Sequence, residues 1–415
     1  PIQVCRAKRG DTLNDHHVDM SICQIFAFSI AVAICGGWIF VWIIHIAALL
    51  YGCRKLHKAP PTISPEDLQG VSIIKPLTGV DPNLFYNLET FFNLNFPAYE
   101  ILFSVHDEHD PAIMVVQKLI EKYPKVDAKL FIGFDFFTGI KYIGPNGKVN
   151  NMMKPFEAAK YEWIVISDSG IKAEKDSLID MASFMKPDVG LVLQMPYACT
   201  RKGFAGVYEK VYFGTMAARN CLSANSVGIN CSTGMSCMVR KTVIEQSGGL
   251  ASFSKYLAED FFICEATKKL GYKVTLSNKL AMQNSGNYSL ENFHKRLIRW
   301  GQLRFAMLPT LIILEPLGEC MFMGVLSSWA VEYLFGISSM AFFLMHILTW
   351  FLLDYFLLRI TENGPLPFSK SEFLIAWLLR ECASFYLSMR CHGTSLVVWR
   401  HRKYRLRWGG TIEEI

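Results

Sequence analysis

Five groups of residues have the types and spacing for chemistry. The run His106-Asp107-Glu108-His109-Asp110-Pro111 follows the apolar stretch Ile101–Val105. So acid-rich a run suits a cation, a donor-rich ligand or plain solvent. Ser167-Asp168-Ser169-Gly170 follows Trp163–Ile166. A carboxylate that closes a buried strand suits a divalent cation that also holds a phosphate, although Asp-Ser-Gly is also turn chemistry. Upstream, Gly147-Lys148-Val149-Asn150-Asn151-Met152 enters a helix. There Lys148 and Asn150 suit a phosphate or sugar, and Asn150 or Asn151 equally suits a helix cap. Gly248-Gly249 precedes the adjacent acids Glu259 and Asp260, which read either as a helix-dipole pair or as the source of a general base. Finally, Arg296, Arg299 and Trp300 share one helical face. Two guanidiniums and an indole suit a diphosphate and a ring, and they also suit an amphipathic helix lying on a membrane.

The elements that must position these residues follow a repeating pattern. The short apolar runs Val71–Ile74, Ile101–Val105, Lys129–Ile132, Trp163–Ile166 and Gly190–Leu193 alternate with helical stretches at Asn83–Phe92, Ile113–Lys122 and Met152–Lys160. Strands alternating with helices predict βαβ units and an α/β fold with a mostly parallel sheet. Ligands of such sheets bind beyond the carboxyl ends of the strands, which is where the acids fall.

Apolar segments flank this region. Ser21 through Cys53 carries no Lys, Arg, Asp or Glu, more than the ~20 residues that cross a bilayer and too long for the core of a cleaved signal peptide. Arg54, Lys55 and Lys58 follow it, favouring a cytosolic side for what comes next. Arg6, Lys8 and Arg9 precede it, so the bias is not one-sided. Beyond residue 305 come Met321–Phe335, Ile337–Leu358 and Phe373–Leu387, the last interrupted by Arg380-Glu381. They predict two crossings plus a re-entrant or interfacial segment, or four shorter ones. The expected organisation is a polar disordered tail at 1–19, an anchor at 21–53, a cytosolic catalytic domain at 54–305 and membrane-embedded helices at 306–391. A basic cytosolic tail at 392–415 follows. The sequence starts at Pro1, and Met20 is a candidate start; His16-His17 suits a metal or a solvated tail.

Composition excludes several classes. With 51% hydrophobic and 19% charged residues, the chain is neither disordered nor a highly charged nucleic-acid module. A net charge of +6 is too mild to call for a polyanionic partner. Twelve cysteines without a Cys-x-x-Cys pair support neither a disulfide scaffold nor a zinc site and point to a reducing compartment. A homo-oligomer is left open.

No single group is specific, but their order is. Acid after a strand, Lys-x-Asn, Asp-x-Gly after a strand, Gly-Gly…Glu-Asp, then Arg-x-x-Arg-Trp, all between apolar segments, resembles the membrane-bound family-2-type glycosyltransferases. The finer stretches are Lys75-Pro-Leu-Thr-Gly-Val-Asp-Pro-Asn83, Asn87–Phe92, Val211-Tyr-Phe-Gly-Thr215, Thr233-Gly-Met-Ser-Cys237, Ala281-Met-Gln-Asn-Ser-Gly286 and Tyr404-Arg-Leu-Arg-Trp-Gly-Gly-Thr411. They are similar to the ceramide glucosyltransferases of glycosyltransferase family 21, from about residue 22 to the end.

The resemblance implies a GT-A fold at the cytosolic face of the Golgi membrane, a divalent cation (Mg²⁺ or Mn²⁺), and transfer from UDP-glucose to ceramide with inversion. By the same resemblance Asp110, with Asp107 beside it, belongs to the nucleotide, Asp168 to the cation and Asp260 to the general base. Arg296 and Arg299 fall to the diphosphate and Trp300 to the acceptor. Two departures stand out. Leu193-Gln194-Met195-Pro196-Tyr197 occupies a place where vertebrate relatives tend to carry His-Gly-Leu-Pro-Tyr, and the loop Gly133–Gly147 is longer than usual. The alternatives are a processive β-glycan synthase, a dolichyl-phosphate sugar transferase, or a transporter or scaffold that binds without catalysis.

Overall fold

The computed structural model describes residues 22–60, 68–133, 143–286, 289–399 and 402–415. The expected tail at 1–19, the middle of the linker before residue 71 and most of the Gly133–Gly147 loop lie outside them.

A long helix, α1 (Ile22–Lys55), comes first, followed by β1 (Val71–Leu77), α2 (Leu84–Phe92), β2 (Tyr99–Val105), α3 (Ala112–Lys122) and β3 (Asp127–Ile132). Next are α4 (Gly147–Ala158), β4 (Trp163–Ser167), β5 (Ile171–Lys172), α5 (Ser177–Ala182), β6 (Val189–Leu193) and β7 (Pro196–Ala198). α6 (Phe204–Tyr212) continues through a π-helical turn, Phe213–Ala217, into α7 (Ala218–Ser226). β8 (Ser236–Arg240), α8 (Lys241–Gln246), α9 (Glu259–Lys269), β9 (Lys273–Leu276) and β10 (Ala281–Gln283) complete the α/β region.

Seven strands form the main sheet in the order β3-β2-β1-β4-β8-β6-β9. All neighbours are parallel except β8, which runs antiparallel to β4 and β6. The expected mostly parallel α/β sheet is therefore present. Every residue of β1 and β4 is buried, as in a sheet covered on both faces, and each large apolar side chain fully buried there contributes about 1.5–3 kcal/mol. β5, β10 and β7 form a small second sheet beside it.

A glycine-dependent turn and the turn after it shape the site's floor. Gly79 has φ +65°, a left-handed conformation that glycine adopts without strain. Its N–H donates to both oxygens of Asp110, at 3.0 and 2.8 Å. The next turn is clasped by the segment that follows β10: Asp81 accepts from the Gly286 N–H at 2.9 and 2.8 Å, and Asn87 exchanges hydrogen bonds with Asn284. The sequence stretches 75–83, 87–92 and 281–286 thus meet in one loop cluster.

The remainder is mostly helical: α10 (Leu290–Met307), α11 (Leu311–Leu317), α12 (Cys320–Phe335), α13 (Ser339–Glu362) and α14 (Lys370–His392). Among the described residues, α1 and α13 are long and apolar enough to cross a membrane, and α11 with α12, bent by 75°, make a third if the pair counts as one span. Their outer faces expose Ile39, Phe40, Ile43, Leu344, Leu348 and Leu352. Arg380 and Glu381, which weakened the third apolar stretch, point inward. Asp354 of α13 gathers His45 of α1 at 3.2 Å, Arg219 of α7 at 3.1 Å, the Trp377 indole N–H at 2.8 Å and Arg380 at 3.0 Å, and Arg380 also pairs with Glu381. Charged groups within apolar helices persist when paired inside the bundle. This network ties α7 of the α/β region to three of the flanking helices.

The stretch 392–415, expected as a basic tail, is folded. β11 (Leu396–Trp399), β12 (Arg402–Leu406) and β13 (Ile412–Glu414) make an antiparallel sheet. Two of its arginines are paired, Arg402 with Glu414 and Arg407 with Glu413. Val397, Tyr404, Leu406 and Ile412 pack on Leu257 and Leu303, so the sheet braces both the approach to α9 and the end of α10.

Candidate active site

The carboxyl ends of β1, β2 and β4 converge with the starts of α4 and α9. At the start of α4, Asn146 is the cap: its side-chain oxygen accepts from the N–H groups of Lys148 (2.8 Å) and Val149 (3.2 Å). The cap expected at Asn150 or Asn151 is thus corrected, and the helix begins earlier than its apolar pattern suggested. Asn150 is buried and donates to the Gly144 carbonyl at 2.7 Å. Asn151 ties down the Leu77 and Ser104 carbonyls, both at 3.1 Å.

Lys148 then reaches into the cluster. Its Nζ lies 2.8 Å from Asp168 Oδ1, 2.9 Å from Glu259 Oε1 and 3.0 Å from the Gly234 carbonyl. Burial works against its charge, but the two carboxylates more than compensate and raise its pKa well above the ordinary value. Beneath it, the buried Lys75 donates to the Asp168 carbonyl at 2.7 Å and to Ser167 at 3.1 Å. Burial lowers Lys75 to about 7.

Asp260 stands in the first turn of α9, where the helix dipole favours a negative charge. Burial and the adjacent Glu259 carboxylate nevertheless push it up to about 6, against Lys148 and the Ser232 hydroxyl. Ser232 donates to Asp260 Oδ2 at 3.1 Å. A Cβ on Gly234 would lie 3.2 Å from Asp260 Cγ, so glycine lets this loop close over the carboxylate. The departing stretch Leu193–Tyr197 runs directly below: the Thr233 hydroxyl donates to the Gln194 carbonyl at 3.3 Å, and Ser236 to the Gln194 side chain at 2.7 Å.

Of the sequence-selected residues, Lys148, Asp168 and Asp260 are thus drawn together. Asp107 is exposed at the end of β2, where it accepts from the His109 N–H at 2.9 Å. Asp110 is buried, with its oxygens on the N–H groups of Gly79 and Ala112. Arg296 and Arg299 are half-buried on α10, Arg296 lying 4.4 Å above the Trp300 ring. Trp300 meets Phe213 edge-on at 6.2 Å. Sequence reasoning named Glu259 only as one of an adjacent acid pair and did not single out Ser232, although the motif beginning at Thr233 was visible. Ser232 and Glu259 are separated in sequence from Lys148, and only the fold brings them together.

The sequence model of glycosyl transferase family 21 matches residues 40–412. The chain belongs to this family. Within it, the chain is similar to ceramide glucosyltransferase 3 of Caenorhabditis elegans, 40% identical over 91% of this chain and 81% of the relative. It is also similar to a ceramide glucosyltransferase of Komagataella phaffii, 26% identical over 87% of each chain. Among solved structures it is similar to a mannosyltransferase from Pyrobaculum calidifontis in complex with GDP-Man and Mn²⁺: TM-score 0.48, 15% identity, 88% of this chain and 98% of that one. The family 21 match includes the whole cluster around Lys148 and the C-terminal strands as far as Ile412.

Proposed function

We propose that this family 21 enzyme transfers glucose from UDP-glucose to the primary hydroxyl of ceramide, with inversion, giving β-glucosylceramide. The observation that carries the mechanism is the placement of Asp260 in the first turn of α9, held by the Ser232 hydroxyl and next to Glu259, whose partner Lys148 also holds Asp168; burial there pushes its pKa up to about 6. A base whose pKa lies close to the working pH is suited to taking a proton during attack. Asp260 takes the ceramide hydroxyl proton as that oxygen attacks the anomeric carbon. The bond to the UDP oxygen breaks on the opposite face, so a single displacement inverts the centre.

Negative charge develops on the departing diphosphate. Arg296 and Arg299 bind it, and planar guanidinium forks suit paired phosphate oxygens. Asp168 fits a hard divalent cation: its side chain is 42% exposed, and Lys148 pairs with only one of its oxygens. Asp168 would hold Mg²⁺ or Mn²⁺ there, and the ion would supply Lewis-acid stabilisation of the leaving group. Lys148 fixes the Asp168 carboxylate in the absence of donor and neutralises the buried Glu259. Asp107 contacts the nucleotide from the end of β2, while Asp110 and Asn150 serve the donor by fixing the turns at Gly79 and Gly144.

The acceptor is a lipid with two long chains, so catalysis takes place at a bilayer surface. We place the enzyme in the Golgi membrane on the family resemblance, with its α/β region in the cytosol on the support of Arg54 and Lys55 in the last turn of α1 and Lys58 just beyond it. Purified protein in detergent, given short-chain ceramide and radiolabelled UDP-glucose, UDP-galactose or GDP-mannose, tests the donor and acceptor together. Label should enter lipid only from UDP-glucose. Lipid labelled from another donor, or no labelled lipid, overturns the assignment.

A further inference from the structure

Behind α10 lies a pocket that is partly open to the surroundings. It is bounded by α6, α10, α11, α12 and α14, and its walls include Tyr212, Leu297 and Phe322. Three buried polar side chains interrupt this wall. Glu319 Oε2, Arg380 Nε and Nη1, and Glu381 Oε2 have no hydrogen-bond partner among the described residues, although Glu319, Arg380 and Glu381 are only 9%, 2% and 1% exposed. Leaving such atoms unmade costs about 1–3 kcal/mol each. A guest that both donates and accepts would recover that energy.

The cavity also lies against the helix that carries Arg296, Arg299 and Trp300. Leu297 is adjacent to Arg296 on α10. Tyr212 packs edge-on against Phe213, which meets Trp300. Arg304, another lining residue, is held by Glu315 at 2.5 Å and lies close enough to Cys231 to offset part of the rise that burial imposes on its thiol. Cys231 adjoins Ser232, the donor to Asp260. At the other end, Phe385 stacks at 6.3 Å on Phe322 and is exposed on the outer face of α14.

Building on the proposed function, we infer that this cavity is the acceptor subsite and holds the polar head of ceramide. The amide N–H and the secondary hydroxyl donate to Glu319 and Glu381, the amide carbonyl accepts from Arg380, the primary hydroxyl is left for Asp260, and the chains leave past Phe322 and Phe385 into lipid. The chemistry selects a neutral head: the anionic phosphate of a phospholipid would face two carboxylates, whereas an amide with hydroxyls satisfies both signs of polar atom.

Apparent KM values for short-chain ceramide and for UDP-glucose, measured in detergent on wild type, Glu319→Gln and Ser384→Phe, test the site. Glu319→Gln keeps the shape and removes a charged acceptor; Ser384→Phe fills the cavity from α14, where Ser384 lines it. The ceramide KM should rise about tenfold or more in each, in Glu319→Gln by the loss expected when a hydrogen bond to a charged group goes and in Ser384→Phe because the head is shut out. The UDP-glucose KM should stay within about twofold. A ceramide KM within about twofold of wild type in both variants overturns the site alone. Absence of ceramide transfer by the wild-type enzyme overturns the proposed function and the site with it. Should neither variant fold, as judged by UDP binding, photocrosslinking of wild type with a photoactivatable short-chain ceramide decides. Adducts within 212–216, 319–322 or 380–391 support the site, and adducts confined elsewhere overturn it.

Discussion

Lys148 Nζ sits 2.8 Å from Asp168 Oδ1 while holding the buried Glu259 at 2.9 Å, so one cation joins the end of β4 to the start of α9. Replacing it by an apolar side chain of similar length takes away the charge partner of the buried Glu259 and leaves it the hydrogen bond from the Asn146 side chain at 3.0 Å. We predict that Lys148→Met destabilises the protein by about 3–5 kcal/mol, the usual loss when one partner of a buried pair is removed. Thermal unfolding in detergent measures this, and an unchanged midpoint would remove the strut from the account.

The raised Asp260 fixes the pH dependence. A general base must be deprotonated, so its active fraction falls as pH falls through its pKa. The rate of transfer under saturating substrates should therefore decline below about pH 6. The Ser232 hydroxyl favours the ionised carboxylate, so Ser232→Ala should move the acid limb to higher pH. Rate profiles of the two proteins provide the comparison. An acid limb that stays in place or moves down contradicts the hydrogen bond's assigned effect.

Asp168→Ala should weaken UDP-glucose binding and make it insensitive to Mg²⁺ or Mn²⁺. Titration calorimetry with and without cation reads this directly. A variant whose nucleotide affinity still responds to the cation as wild type does shows that Asp168 is not the cation's carboxylate.

The structure sharpens expectations for α10. Arg296 is stacked on Trp300, whereas an ammonium in place of Arg299 would offer a point charge where a fork is called for. Arg299→Lys should lose at least about tenfold in kcat/KM, and a fully active variant would leave Arg296 as the diphosphate ligand. Trp300→Ala removes both the platform under Arg296 and the contact with Phe213. It should depress transfer to ceramide more than the slow hydrolysis of UDP-glucose measured without acceptor. Equal losses in the two reactions, matched by a loss of folded protein, would make Trp300 an anchor only.

Much of this arrangement was legible in the sequence because strands buried on both faces leave unbroken apolar runs. Trp163–Ile166 located β4, and therefore Asp168, to within a residue. Local hydrogen-bonding detail was less legible. Asn146, Asn150 and Asn151 lie within about a turn and a half of one another, and composition alone does not say which caps the helix; the geometry gives that role to Asn146. Arg380 and Glu381 read as a defect in a span because their partner Asp354 belongs to another helix. The C-terminal strands read as a basic tail because their charges dominate, while the apolar residues that bind them to Leu257 and Leu303 are few and spaced at alternate positions.

The central claim is that Asp260 activates a lipid hydroxyl for inverting glucosyl transfer. The most direct test supplies wild type and Asp260→Asn with UDP-glucose and short-chain ceramide, follows product formation, and assigns its anomeric configuration by proton NMR, with UDP affinity measured alongside. The account predicts β-glucosylceramide from wild type, a rate at least ~10²-fold lower from Asp260→Asn, and UDP binding that survives the substitution. An α-linked product, or an Asp260→Asn rate above about a tenth of wild type, would contradict it.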